Sequence, residues 1–590
     1  MLELRTINDI LAGLAQRDGD TAAMWKGPEG WKPIMARTMY GRVRAVVAAL
    51  ESWGVTRGDR VAIVSENRWE WPVVDFACMA MGVVDVPLYQ TLSPEQVGFM
   101  LRDSGAKVVF VSTREQYDKI VNAGELRGLE RVVVFDAGEF PNAEHLDKLL
   151  EKAGELETRD AAFDAKLKET KPEELATIIY TSGTTGDPKG VMLTHKNLCE
   201  NLRHSTDDLH LVKGDSAISF LPLSHALARH LDYAIYAHGG YLAYLPGFDR
   251  LPAAMKEVKP TIFLAVPRVF EKVRQGVEGK AQGMQKRIFN WALAQGRKQK
   301  KAIAAGKEPA SLLWRIANKL VFEKIQCAFG GNAKLFVSGG APLGKETTDW
   351  FLSVGIRVFE GYGMTETSPV IARNTFAEYR PYTVGTVIPN LETRLAEDGE
   401  LEVRGTSVFA GYWGKDEETK KEFTADGWFK TGDIAKLEDG FLSITDRKKE
   451  LMKTSGGKYI APQPLESRLK VDALVGQAAL IGDQRKFVSV LISPNFDALE
   501  KWAQQNGVQT KDRAKLVEDA KVQQVYKAIV GKANEGLAHH ETIKKIAVVP
   551  EEWTVESGEL TPSMKLKRRV INEKYKDRIN ALYGAGNGAE

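Results

Sequence analysis

Cysteine is scarce: Cys78, Cys199 and Cys327 are the only three in 590 residues, widely separated and without a C-x-x-C pair. That excludes a disulfide framework or zinc ribbon and suits a reducing compartment. Charge of one sign is scarce too, since 81 Lys and Arg against 78 Asp and Glu leave a net +3, which gives no footprint for nucleic acid. Long apolar runs are missing. Even VVDFACMAMGVVDVPLY carries Asp75 and Asp85, and a spanning helix needs about 18 or more apolar residues. The first residues, MLELRTINDILAGLAQRDGD, hold no apolar run before a small-residue cleavage site. A cytoplasmic protein is expected, soluble or at most lying on the inner face of the membrane.

What is present describes an ordinary globular chain, 43% hydrophobic, 27% charged and 9% aromatic, long enough for several structural units. From Arg60 to Gly183 the short β-branched runs RVAIVS, VVDVPLY, KVVFVS, RVVVFD and LATIIYTSG alternate with helical patterns, as in a parallel sheet covered on both faces. A second βα series follows in TIFLAVPRVFEKV, AKLFVSGGAPLG and IRVFEGYGMTETSPVI. Beyond Leu391 the texture becomes antiparallel, with hairpin turns expected at Asp398-Gly399 and Asp439-Gly440. The fold class is therefore α/β: a large, multi-subdomain N-terminal domain over 1–445 with parallel βα sheets and a small antiparallel section, then a small α+β domain over 446–590. The terminal GAGNGAE is expected to be disordered.

Several stretches carry chemistry. YTSGTTGDPKGV, Tyr180 to Val191, gathers small hydroxyl residues and glycines around Lys189 at the carboxyl end of a predicted strand, where open α/β sheets bind ligands. Backbone N–H groups in such a loop suit phosphate, yet the Walker pattern G-x-x-x-x-G-K-[ST] is absent, because Pro188 stands where its second glycine belongs. In FEGYGMTETSPV, Gly361, Tyr362 and Gly363 permit close approach of a flat ring. Thr365 and Glu366 add a hydroxyl and a carboxylate, the oxygen donor that Mg²⁺ prefers. Asp433, closing DGWFKTGD, suits two ribose hydroxyls, and the planar fork of Arg447 suits phosphate. Read singly, Asp433 and Asp446 could merely cap turns, and LTPSMKLKRRVI, with Lys565, could be a solvated charge run.

Taken in order, these stretches with LPLSHALAR at 221–229, SGGAPL at 338–343, GELEVRG at 399–405 and DRKKELMKTSGGKYIAP at 446–462 resemble the adenylate-forming superfamily over nearly the whole chain. Within it, Asp426 to Glu466 resembles the signature of long-chain fatty acyl-CoA synthetases. The resemblance implies a two-step reaction: a fatty acid carboxylate attacks the α-phosphate of ATP to give acyl-AMP and pyrophosphate, then the coenzyme A thiol displaces AMP. It implies Mg²⁺ as cofactor, with ATP and coenzyme A as co-substrates. An acyl-adenylate-forming enzyme using a medium-chain or aryl acid, or a carrier-protein acceptor, is the alternative.

By the same resemblance Lys565 bridges the carboxylate and α-phosphate, with Lys567 the nearest alternative, and His225 lies near the acyl carboxylate. Thr181 and Glu366 would hold Mg²⁺; Ser182, Gly183, Thr184, Thr185 and Lys189 would hold the phosphates. Gly340, Gly361, Tyr362, Gly363 and Thr365 would line the nucleotide, with Asp433 on the ribose assisted by Arg447. Asp446 would be the hinge, and Ser455, Gly456 and Gly457 would border the thiol channel. One block stands outside this set: residues 279–327 are helical in pattern and strongly basic, including Lys286, Arg287, Arg297, Lys298, Lys300 and Lys301. It reads as a solvated face or as a surface lying on anionic lipid.

Overall fold

The computed structural model describes residues 3–124, 126–181, 188–448, 450–455, 458–510, 512–561 and 565–584. Arg60–Val64, Val84–Leu88, Val108–Val111 and Arg131–Val134 are strands paired in parallel. Every residue of Val84–Leu88 and Val108–Val111 is buried, which explains why these runs are continuously apolar instead of alternating. Leu175–Thr181 adds to this eight-stranded sheet beside Val84–Leu88. The chain then reverses into Lys189–Thr194, antiparallel, with Thr181 opposite Lys189. The Gly/Thr loop thus joins two antiparallel strands, unlike the strand-to-helix turn of a Walker loop. Its residues 182–187, including Ser182, Gly183, Thr184 and Thr185, lie outside the described residues, as do Gly456, Gly457 and 585–590 of the terminal stretch.

The second sheet has thirteen strands. Ser216–Ser219, Ile262–Ala265, Leu335–Ser338 and Val358–Gly363 run parallel at its centre. Period-two alternation sorts their side chains: Phe263 and Phe336 join Phe329 on one face in edge-on contacts, with Phe263–Phe329 at 5.2 Å and Phe329–Phe336 at 5.1 Å. Ile262, Leu264, Leu335 and Val337 face the other way, into a cavity. Val358–Gly363 is the joint of this sheet. Its first half pairs in parallel with Leu335–Ser338, while Gly361, Tyr362 and Gly363 pair antiparallel with Val370–Arg373. The section beyond Leu391 is antiparallel as the hairpin signals required, but it continues this sheet through Gly385–Val387 and Phe441–Arg447. Asp439 and Gly440 both take positive φ, +51° and +82°, the primed two-residue turn that matches strand twist.

Met452 onward builds separate cores around a three-stranded sheet of Val475–Ile481, Val488–Pro494 and Ile543–Val548. Arg568 clasps Glu466 with both terminal nitrogens at 2.8 Å, a bidentate pair that fixes the segment carrying Lys565 to helix Pro462–Lys470. Among the described residues no helix is long and apolar enough to cross a membrane.

Candidate active site

The antiparallel half of Val358–Gly363 brings Tyr362 against Phe429–Glu438, and its hydroxyl donates to Asp433 Oδ2 at 2.5 Å. Asp433 is 5% exposed and stands in a strand opposite Arg447, not at a turn. Arg447 Nε lies 3.5 Å from the other oxygen, Oδ1. Burial pushes the Asp433 carboxyl up, opposed by Arg447 and the Tyr362 hydroxyl. The glycines admit this closeness. A Cβ on Gly363 would sit 1.8 Å from the Pro369 carbonyl oxygen, whereas one on Gly361 would meet nothing nearer than Ala372 O at 3.6 Å. Gly340, at φ +83°, occupies the left-handed region beside the same cleft.

Thr365 and Glu366 sit on the short 3₁₀ turn Thr365–Thr367, both buried. Tyr412 donates to Glu366 Oε1 at 3.1 Å, and burial raises the carboxyl. No hydrogen bond from the described residues reaches Oε2. Among those residues no group of three or more His, Cys, Asp and Glu could hold a metal. One carboxylate with an oxygen that no described residue donates to, on a turn packed against Lys189–Thr194, the strand paired with the one ending at Thr181, fits Mg²⁺, which takes few protein ligands and completes its shell with water and substrate phosphate. Lys189 is engaged at 2.8 Å by Glu418 and at 3.7 Å by Glu422, with its ammonium 4.7 Å from the Tyr412 ring centre.

His225 caps helix Ala226–Ala237: its Nδ1 accepts from the Leu227 N–H at 3.2 Å. With Nδ1 as acceptor, Nε2 carries the proton. Burial, then the Lys565 charge, holds its pKa down to about 4, so the ring is neutral. Lys565 comes from the C-terminal part of the chain, next to Leu566. Its N–H donates to Thr561 Oγ1 at 3.0 Å, the Thr561 N–H returns to Lys565 O at 2.8 Å, and Leu560 bridges Leu566. The residue is solvent-exposed, although protein atoms crowd its ammonium. That enclosure, then Arg447, lowers its pKa to about 8 against the opposing pull of Asp433, Glu450 and Glu366. Lys565, His225, Asp433, Arg447 and Glu366 therefore share one electrostatic neighbourhood. Asp446 is the penultimate residue of strand Phe441–Arg447, buried, and its Oδ1 accepts from the Arg447 N–H at 2.6 Å. Burial carries its pKa to about 7. Ser455 lies in an exposed turn, its N–H bonded to Arg485 O, and does not join the group around Asp433.

An apolar cavity adjoins this cluster at His225 and Tyr362. His225, Gly340, Gly361 and Tyr362 form its polar end, and Leu209, Leu211, Ile262, Leu264, Leu335 and Val337 its apolar wall. Helix Ala226–Ala237 contributes Leu227, His230, Leu231 and Ala234, a helical i, i+3, i+4, i+7 stripe that was present in LARHLDYA. His230 meets Ser205 at 2.8 Å on the same wall. The apolar wall, Ser205 and His230, with Tyr412, Glu418 and Glu450, are not among the candidates the sequence offers. The helical stripe and the strand alternation could have revealed the wall; only folding reveals the three polar partners.

Two family models match the chain: AMP-binding enzyme over residues 12–413 and AMP-binding enzyme C-terminal domain over residues 449–587. The chain is 39% identical over 566 residues to the long-chain-fatty-acid–CoA ligase FadD15 of Mycobacterium tuberculosis, covering 94% of this chain and 92% of the relative. It is 33% identical to long chain acyl-CoA synthetase 7, peroxisomal, of Arabidopsis thaliana, covering 92% and 80%. Among solved structures, the A domain of carboxylic acid reductase from Segniliparus rugosus, in complex with AMP and a co-purified carboxylic acid, superposes with a TM-score of 0.76 at 20% identity, covering 98% and 94%. The anthranilate CoA ligase AuaEII, in complex with anthranoyl-AMP, gives 0.74 at 20% identity, covering 98% and 99%; both share the fold. On the two family models and on identity across nearly its full length, the chain belongs to the AMP-binding enzymes, the adenylate-forming superfamily.

Proposed function

We propose that the protein joins a long-chain fatty acid to coenzyme A through an acyl-adenylate, releasing pyrophosphate and then AMP. The observation that carries the reading is an apolar cavity whose lining includes His225 and Tyr362, the tyrosine that donates to Asp433 beside Arg447. An alkyl chain in that cavity presents its carboxylate at the polar end, beside His225 and a nucleotide site. The first step brings together two anions, so it requires neutralisation and alignment more than proton transfer. Asp433 accepts from the ribose hydroxyls, Tyr362 orients that carboxylate, and Gly361 leaves room for adenine. A carboxylate oxygen of the acid attacks the α-phosphorus while the bond to pyrophosphate breaks. Lys565, cationic at neutral pH, bridges the attacking carboxylate and the α-phosphate. Glu366 and Thr181 would hold Mg²⁺, which would supply charge neutralisation on the leaving phosphates. His225, neutral, offers Nε2–H to the acid's oxygen.

In the second step the coenzyme A sulfur attacks the acyl carbonyl and the bond to AMP breaks. Residues 446–590 turn against 1–445 between steps, with Asp446 as hinge and Ser455, Gly456 and Gly457 beside the thiol. Two features support the hinge: the separate cores beyond Met452 and an Asp446 Oδ2 buried without a hydrogen-bond partner among the described residues, a cost that another arrangement can relieve. The test is product analysis with ATP, Mg²⁺, coenzyme A and a series of straight-chain acids. Acyl-CoA and AMP in equal amounts, favoured for long chains, are expected. An adenylate that coenzyme A cannot consume would move the assignment to another acceptor.

A further inference from the structure

The basic block outside the catalytic cluster folds into helix Gly283–Ala304 and three consecutive short helices, Leu312–Ala317, Asn318–Phe322 and Glu323–Cys327. The inner side of the short helices is already packed: Trp314, Ala317, Phe322 and Ile325 are buried, and the Trp314 and Phe322 rings lie 6.4 Å apart. Their outer side is apolar as well. Leu312 is 70% exposed, Leu313 49%, Ile316 42% and Leu320 49%, and Met284 and Ile288 on the preceding helix are 67% and 42% exposed. These six are among fourteen exposed large apolar side chains in all the described residues. Single exposed leucines are ordinary, but four within nine residues form a patch that requires a partner.

Charge selects the partner. Residues 279–327 hold eleven lysines and arginines against Glu308 and Glu323 alone. Arg315, Lys319 and Lys324 stand exposed between the ridge residues or just beyond them, and Arg297, Lys298 and Lys301 stand exposed on the neighbouring helix. A second copy of the same surface would meet cations with cations, which opposes a symmetric dimer here. A bilayer of anionic lipid answers both features: acyl chains receive the ridge and head groups receive the ammonium and guanidinium ends.

We propose that Leu312, Leu313, Ile316 and Leu320 insert into the head-group boundary of an anionic membrane, steered by Arg315, Lys319, Lys324 and the basic face of Gly283–Ala304. The contact is peripheral and requires no substrate, so it is measured apart from catalysis. The probe is sucrose-loaded vesicles of phosphatidylcholine, alone or with phosphatidylglycerol, co-sedimented with the full chain at about 0.05 M and about 1 M salt, where the screening length falls to about 3 Å.

Binding to the anionic vesicles at low salt, weakened at high salt, is expected. Arg315→Gln, Lys319→Gln and Lys324→Gln together should lower partitioning on the order of a hundredfold, about fivefold per charge. Leu312→Ser, Leu313→Ser, Ile316→Ser and Leu320→Ser together should also release the protein, with melting temperature checked because all four are surface positions. If that variant does not fold, Leu312→Ser alone is used, and a loss of several-fold is expected. No partitioning of the native chain at low salt overturns the proposal. So does undiminished binding by a folded ridge variant, or dimerisation in sedimentation velocity that the ridge substitutions abolish, which would make a second copy the partner.

Discussion

The Tyr362 hydroxyl donates to Asp433 Oδ2 at 2.5 Å, across two strands of one sheet that lie 71 residues apart in sequence. With Arg447 Nε 3.5 Å from Oδ1, the aspartate is held at both oxygens before any nucleotide arrives. Tyr362→Phe removes one restraint from a charged acceptor, an interaction of about 1.5–3 kcal/mol. The expected result is a roughly tenfold or greater weakening of AMP binding by calorimetry, with the melting temperature nearly unchanged. Equal affinity would show that Asp433 needs no such orientation.

The two neighbouring glycines should separate folding from binding. Gly363→Ala drives a Cβ to 1.8 Å from Pro369 O, so a loss of at least ~2 kcal/mol in stability is expected. Gly361→Ala makes only an ordinary 3.6 Å contact, so the protein should melt normally while nucleotide affinity drops where the ring must approach. Thermal melts with and without AMP distinguish the two.

The pH dependence follows from the depressed lysine. Lys565 loses its proton as pH rises through about 8, so kcat/KM for ATP should fall along a basic limb near that value. Bound triphosphate favours the cation, so kcat should persist to higher pH. His225, at about 4, stays neutral above pH 5 and adds no acidic limb there. In Lys565→Arg the residual rate should lack the basic limb, because guanidinium does not titrate in this range.

The cavity wall makes a prediction about chain length. Ala234 is buried on the lining face of helix Ala226–Ala237, so Ala234→Trp projects an indole into the channel. Relative kcat/KM should shift toward short acids by about tenfold or more, since even one methylene in an apolar pocket is worth about 1–3 kcal/mol. A uniform loss for every acid would place the acyl chain elsewhere.

The hinge proposal separates the half-reactions. Asp446→Pro fixes φ and removes an N–H within strand Phe441–Arg447, so thioester formation should suffer more than acyl-AMP formation in single-turnover assays. Equal losses would contradict the hinge.

Much of this architecture is legible in the chain because its signals are local. The continuous runs at Val84 and Val108 report burial on both sides, and Asp439-Gly440 forms the primed turn that its residue types favour. The Gly361-Tyr362-Gly363 stretch and Asp433 suit a nucleotide by residue type, and the fold joins Tyr362 to Asp433. What the sequence withholds depends on distant pairing. The junction that continues the antiparallel section from the parallel sheet rests on Val358–Gly363 changing partners midway. The claims of Tyr412 on Glu366 and of Glu418 on Lys189 join segments 46 and 229 residues apart, and no periodicity encodes them. The cavity lay in between: alternation in TIFLAV and KLFVSG, with the stripe in LARHLDYA, held its wall but not its order in space.

The most direct measurement is release of pyrophosphate and AMP from ATP with palmitate and Mg²⁺, with and without coenzyme A, for the native chain and Lys565→Ala. Pyrophosphate that requires the acid, AMP release that rises with coenzyme A, and loss of adenylation by roughly a hundredfold or more in the variant are expected, the upper range of a single charge-stabilising group. Unchanged adenylation in Lys565→Ala would move the bridging role to Lys567, and product indifferent to both palmitate and coenzyme A would contradict the ligase assignment.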